Sequence, residues 1–182
     1  MPLYPRHTIP GFIERTQKNL QAIRSQPERM PHPVTQLVCS MLGLVVFPWA
    51  NYEENSEESE LLPATLAQQF AKKLKEQLSK SLKELEQQHG WPHWDFELDD
   101  ASEKTTTLEV LVKHLRNAVS HYRVGFDSDS KDLYEVTITF QDKPWGKGKP
   151  INWRTTIRAD ELLTFCNKLA ACTLKIAEDV LG

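Results

Sequence analysis

The residues of this chain whose types and spacing could do chemistry lie in one short stretch, Arg116-Asn117-Ala118-Val119-Ser120-His121. An arginine guanidinium is always charged and grips phosphate through a planar fork of donors. An imidazole trades protons near neutral pH, which suits a general base or a general acid. Together they form a minimal kit for cutting RNA without a metal. The nucleophile would be the substrate's own 2′-hydroxyl, so such a site selects RNA over DNA.

The element that must position these residues is an amphipathic helix. Leu108, Leu111, Val112, Leu115, Ala118, Val119 and Tyr122 recur at the spacing of a buried stripe. Arg116 then falls at one edge of the polar arc and His121 toward the other, roughly 140° apart. Lys113, Asn117 and Ser120 lie between them as further candidates for substrate contact. Asn117 stands one turn before His121, where it could orient the imidazole or touch a phosphate oxygen. The arc is too wide for both groups of one helix to pinch one phosphate. A second copy across a two-fold axis would bring the Arg of one near the His of the other. Taken alone, the spacing is a weak signal, because common residue pairs recur by chance. The competing reading is a solvated helix face ending in a histidine near the negative end of the helix dipole.

Two stretches carry a resemblance to a known family. Leu115-Arg116-Asn117-Ala118-Val119-Ser120-His121 resembles the signature of the HEPN superfamily, Arg and a polar residue followed by His after four to six intervening positions. The segment Val34 to Pro48 resembles an early helix of a plasmid-borne branch of that superfamily, and the two occur in that branch's order. The resemblance implies a mainly α helical bundle that dimerises with its motif helices facing. It further implies a metal-independent endoribonuclease with Arg116, Asn117 and His121 as catalytic residues and no cofactor. Toxin and phage-defence roles, with an antitoxin or regulatory partner, come with that family. Other HEPN proteins lack the motif, and the alternative is a non-catalytic dimer that binds RNA or protein.

Composition agrees with a single domain. The chain has 182 residues, 40% hydrophobic and 26% charged, which is ordinary for a globular domain. A net charge of −3 argues against coating nucleic acid by general attraction but leaves room for a local cationic cleft. The longest apolar run, Leu37 to Ala50, is broken by Ser40, Gly43 and Pro48 and falls short of the ~20 residues that cross a bilayer. With no basic-then-apolar leader, the expected location is cytoplasmic. Cys39, Cys166 and Cys172 have no metal-knuckle spacing, and all three are expected to be buried packing residues. Glu53, Glu54, Glu57, Glu58 and Glu60 form an acidic loop at about 51–60, read as solvated, with a basic partner as the sharper alternative.

The remaining pattern predicts helices from about Ile9 to Gln26 and from Val34 to Phe47, the second ended by Pro48. Pro63 should open one long helix to about Gln88 with a leucine ladder and outward lysines. His89 and His93 are four apart, but Gly90 and Pro92 between them argue against a helical metal pair, and no metal site is expected. Trp91, Trp94 and Phe96 should pack a loop onto the core, and Ser102 or Thr105 should cap the motif helix. Gly125 to Asp132 reads as a polar turn. Alternation through Tyr134, Val136, Ile138 and Phe140, and again through Ile151, Trp153, Thr155 and Ile157, predicts a β-hairpin insertion over about 133–158 between the motif helix and the C-terminal helix. Its loop carries Trp145, Lys147 and Lys149, a basic and aromatic mix able to stack bases and steer phosphates. The competing reading of that loop is an ordinary flexible hairpin tip.

Overall fold

A computed structural model describes residues 9–53, 64–101, 103–146 and 148–181. The acidic residues Glu54, Glu57, Glu58 and Glu60, the Pro63 start, Ser102 and Lys147 lie outside the described residues. The helices are α1 (Ile9–Ser25), α2 (Pro33–Glu53), α3 (Ala64–Leu78), α4 (Leu82–His89), α5 (Leu108–Ser120) and α6 (Ala159–Leu181). The strands are β1 (Asp95–Leu98), β2 (Val124–Phe126), β3 (Thr137–Asp142) and β4 (Trp153–Arg158). They form one antiparallel sheet in the order β1-β4-β3-β2. The protein is therefore mainly α, with the expected hairpin, β3–β4, between α5 and α6.

Apolar periodicity builds the core. α6 packs against α1, α2 and α3, while α5 is held between α2 and β3. Ile13, Leu20 and Ile23 from α1 meet Leu37, Met41 and Leu44 from α2, and all are essentially inaccessible to solvent. Leu108, Leu111 and Leu115 bring α5 into the same core, which Phe140, Trp153 and Phe165 complete. Cys166 is buried as expected, but Cys172 is only half-buried and Cys39 is exposed. The expectation fails for Cys39 because its side of α2 is left exposed among the described residues.

Four other local expectations change. The long helix after Pro63 is two helices, because residues 79–81 break it. Ser79 Oγ donates to the Glu76 carbonyl at 2.9 Å, a local bond that competes with helix continuation. The released backbone then pairs with the approach to α5: Leu82 N–H donates to Thr106 O and Leu108 N–H to Lys80 O. α2 runs through Pro48 to Glu53; a proline costs a helix one donor and a bend, not its continuation. The supposed loop around Phe96 is strand β1, and the turn after α5 begins with strand β2, so the hairpin is the centre of a four-stranded sheet. Trp91 and Trp94 do pack inward, meeting Phe165 edge-on at centroid distances of 5.6 and 5.2 Å. Gly90, at φ 60°, ends α4 in the left-handed conformation that glycine adopts without strain.

Phe165 thus joins α6 to both tryptophans that precede the sheet. Phe165→Ala should lower the unfolding free energy by about 3–5 kcal/mol, read from urea unfolding. A loss below about 1 kcal/mol would show that this aromatic joint does not hold the two layers together.

Candidate functional site: the C-terminal end of α5

The motif helix starts where Thr107 accepts the Val110 N–H on its side chain, a cap that satisfies one orphan donor of the first turn. It ends with a paired backbone signature. Tyr122 N–H donates to Val119 O at 3.1 Å, and Arg123 N–H reaches back to Ala118 O at 2.8 Å. These two bonds make a Schellman cap, in which the residue after the C-cap adopts the left-handed conformation and is usually glycine. Here it is Tyr122, at φ 55°. A side chain in that region costs roughly 1 kcal/mol relative to glycine. Tyr122 recovers none of that cost by burial, being 96% exposed. Its expected place in the buried stripe fails for this reason: the helix ends at Ser120, and the periodicity no longer applies beyond it.

Behind this end sits a buried carboxylate. Asp142, the last residue of β3, is only 5% exposed. Its Oδ2 accepts from Asn117 Nδ2 at 3.0 Å and lies 2.9 Å from His114 Nδ1. Its Oδ1 accepts from Arg123 Nη1 at 3.2 Å and from the Lys143 N–H at 2.8 Å. An ionised carboxylate can only accept, so Nδ1 of His114 carries the proton in this bond. Burial alone would raise the Asp142 carboxyl, but the hydrogen bonds from His114, Asn117 and the Lys143 amide draw it below the usual carboxylate range. His114 Nε2 is buried and has no hydrogen-bond partner among the described residues. Its ring lies flat on Trp153, with centroids 4.7 Å apart and planes 13° from parallel. Trp153 Nε1 in turn donates to Thr105 Oγ1 at 2.8 Å, and Thr105 donates to Asp99.

Around this frame the structure places the sequence candidates as follows. Arg116 and Asn117 are half-buried on the last turns of α5; Ser120, its final residue, is exposed. His121 occupies the C-cap and is exposed. Asn117 holds the Asp142 carboxylate, so its amide ties the motif to β3. Lys113 is engaged in an ion pair with Glu103. Trp145 is 96% exposed and Lys149 is exposed, both in the loop that leaves Asp142 through Lys143. The root of that loop is therefore fixed to the same carboxylate that holds Asn117 and Arg123. His93, one of the rejected histidine pair, lies 3.1 Å from Glu86 and 3.4 Å from Asp95. The Glu86 hydrogen bond raises it above the usual histidine range against a smaller desolvation effect.

Sequence reasoning passed over His114, Arg123 and Asp142. A signal for two of them was present. His114 lies three residues after Leu111 and four before Ala118, inside the apolar stripe. Asp142 continues the inward register Ile138, Phe140 along β3. A histidine and a carboxylate that both point inward must pair, since a buried charge without partners costs several kcal/mol.

Two measurements probe this end of α5. Tyr122→Gly should raise the unfolding free energy by about 0.5–1 kcal/mol; an unchanged or lower melting temperature would mean that the left-handed turn is not strained. Asp142→Asn should cost about 2–3 kcal/mol at pH 7. Because the folded carboxyl lies below its unfolded value, its contribution is present above about pH 4 and is lost as pH falls through the folded value. The stability gap between wild type and variant should therefore narrow as pH drops below about 4. A gap that stays constant from pH 7 to pH 3 would contradict the assigned network.

Residues 1–179 match a protein-family model described as HEPN pEK499 p136. No curated protein and no solved structure matches the chain. No helix among the described residues is long and apolar enough to cross a membrane. The match runs through nearly every element of the bundle, with the α5 motif well inside it, and on that coverage the chain belongs to the HEPN pEK499 p136 family.

Proposed function

We propose that the protein is a metal-independent endoribonuclease that works as a homodimer, with the C-terminal ends of two α5 helices facing across the interface. Membership of a HEPN family supports the reading, since HEPN domains are frequently ribonucleases. The observation that carries it is the presentation of Arg116 and His121 at one helix end, with the turn between and beyond them tied to Asp142.

The chemistry follows from the groups. His121 takes the proton of a ribose 2′-hydroxyl as general base, or returns one to the leaving 5′-oxygen as general acid. The 2′-oxygen attacks phosphorus and the bond to the 5′-oxygen breaks, leaving a 2′,3′-cyclic phosphate and a 5′-hydroxyl. Arg116 binds the non-bridging oxygens and offsets the charge that grows on them. Asn117 acts by position: its bond to Asp142 fixes the last turn from which Arg116 and His121 project. Ser120, Lys149 and Trp145 contact the strand on either side, the indole by stacking on a base. Lys113 joins them only if its pair with Glu103 opens. No step assigns a role to a metal. An effector role as a toxin or in phage defence, restrained by a protein partner, fits such an activity.

His121→Ala should reduce the rate of RNA cleavage by about 10²–10⁴-fold. Arg116→Ala should fall by a similar factor, with both variants still dimeric on a sizing column. Cleavage should persist in a metal chelator and be absent on DNA of the same sequence. Full activity in either variant would sink the mechanism. Binding of RNA without turnover by the wild type would favour a non-catalytic binding module instead.

A further inference from the structure

Arg123 is fixed by its backbone and left with most of its side chain unused. Its N–H closes the Schellman cap on Ala118, and its carbonyl accepts the Gln141 N–H at 3.0 Å. A guanidinium has five N–H donors. Here Nη1 alone has a partner among the described residues, Asp142 Oδ1 at 3.2 Å. The side chain is 22% exposed, so the remainder of the fork has access to solvent. Nor is Arg123 needed to satisfy the carboxylate, which already accepts from His114, Asn117 and the Lys143 amide.

Its position matters as much as its spare donors. Arg123 stands two residues beyond His121, and the carboxylate that anchors it also anchors Asn117, the neighbour of Arg116. One carboxylate thus grips the segment on both sides of the motif's end. A fork anchored at one nitrogen gives up little freedom when its other donors take a phosphate oxygen, so binding is pre-organised.

We propose that Arg123 is a second phosphate-binding guanidinium of the RNA site, anchored by Asp142 and gripping a phosphate beside the scissile one. The assignment rests on the RNA reading of the Arg116–His121 motif. Asp142 is then a positioning residue: it touches no substrate but sets the direction of the Arg123 fork.

The test uses the full chain and a single strand of 2′-O-methyl RNA, which keeps every phosphate and lacks the attacking hydroxyl. Binding is followed by fluorescence anisotropy over a salt series, beside cleavage of unmodified RNA and thermal melts. Arg123→Gln should weaken binding about tenfold at low salt. It should also make the slope of log affinity against log salt shallower by about 0.7, the loss of one phosphate contact on a single strand. Arg123→Lys should restore the slope, since an ammonium carries the same charge, while leaving affinity several-fold below wild type.

If Arg123→Gln lowers the melting temperature but leaves affinity and slope unchanged, Arg123 is only a strut and the proposal is overturned. If that variant does not fold, Arg123→Lys decides: wild-type affinity across the whole series overturns the proposal, and a several-fold loss at unchanged slope supports it. Cleavage by the wild type together with Arg123-independent binding removes this inference and leaves the nuclease intact. Arg123-dependent binding without any cleavage supports the phosphate contact and removes the nuclease.

Discussion

A buried carboxylate at the end of β3 sets where the C-terminal end of α5 points. Ionised Asp142 is stabilised in its site by donors from Asn117, Arg123, His114 and the Lys143 backbone that converge on it. Without that set of donors the charge would stand out of water and underpaired, which is costly at low local dielectric. Three of the four donors come from α5 and the turn that follows it. The position of that turn is therefore tied to β3 by electrostatics as well as by packing, and displacement in any direction stretches several charge-assisted bonds at once.

The far end of α5 is held by different means. The break after α3 lets residues 80–82 hydrogen-bond to residues 106–108, so the helix begins from a small backbone bridge capped by Thr107. Between the two ends, Trp153 lies against His114 and is itself held through Thr105 to Asp99. The sheet thus supports the helix along its length. In the proposed nuclease, the His121 imidazole on its exposed C-cap gains from that support, because catalytic geometry is set by how firmly the surrounding shell holds it.

Much of this was legible in the residues. The apolar stripe of α5, the α1 and α2 periodicities and the β3–β4 alternation all follow from local pattern, and each element exists. Two of the misses share a cause: contacts distant in sequence decided them. Ser79 broke a ladder whose leucines ran on without interruption, because the freed backbone found partners at 106–108. Phe96 alternates with its neighbours as a strand residue, yet only the β4 edge makes β1 a strand. Tyr122 kept the helical spacing but fell beyond the helix end, since the Schellman bonds close on Ala118 and Val119. For the site, type and spacing pointed to Arg116 and His121. They could not show that Asn117 is bonded to a residue 25 positions away. His114 and Asp142 were readable in principle as inward-facing polar residues on two apolar registers. Arg123 was not, because nothing local distinguishes it from an ordinary surface arginine.

The stacking of His114 on Trp153 gives the molecule an optical handle. An indole in van der Waals contact with an imidazole has an emission that depends on that neighbour's charge and orientation. Trp153 is wholly shielded from solvent, so outside quenchers reach it poorly and its light reports mainly on the ring beside it. Displacement of the carboxylate at the other side of that ring would therefore alter the Trp153 share of an ultraviolet emission to which four other tryptophans contribute.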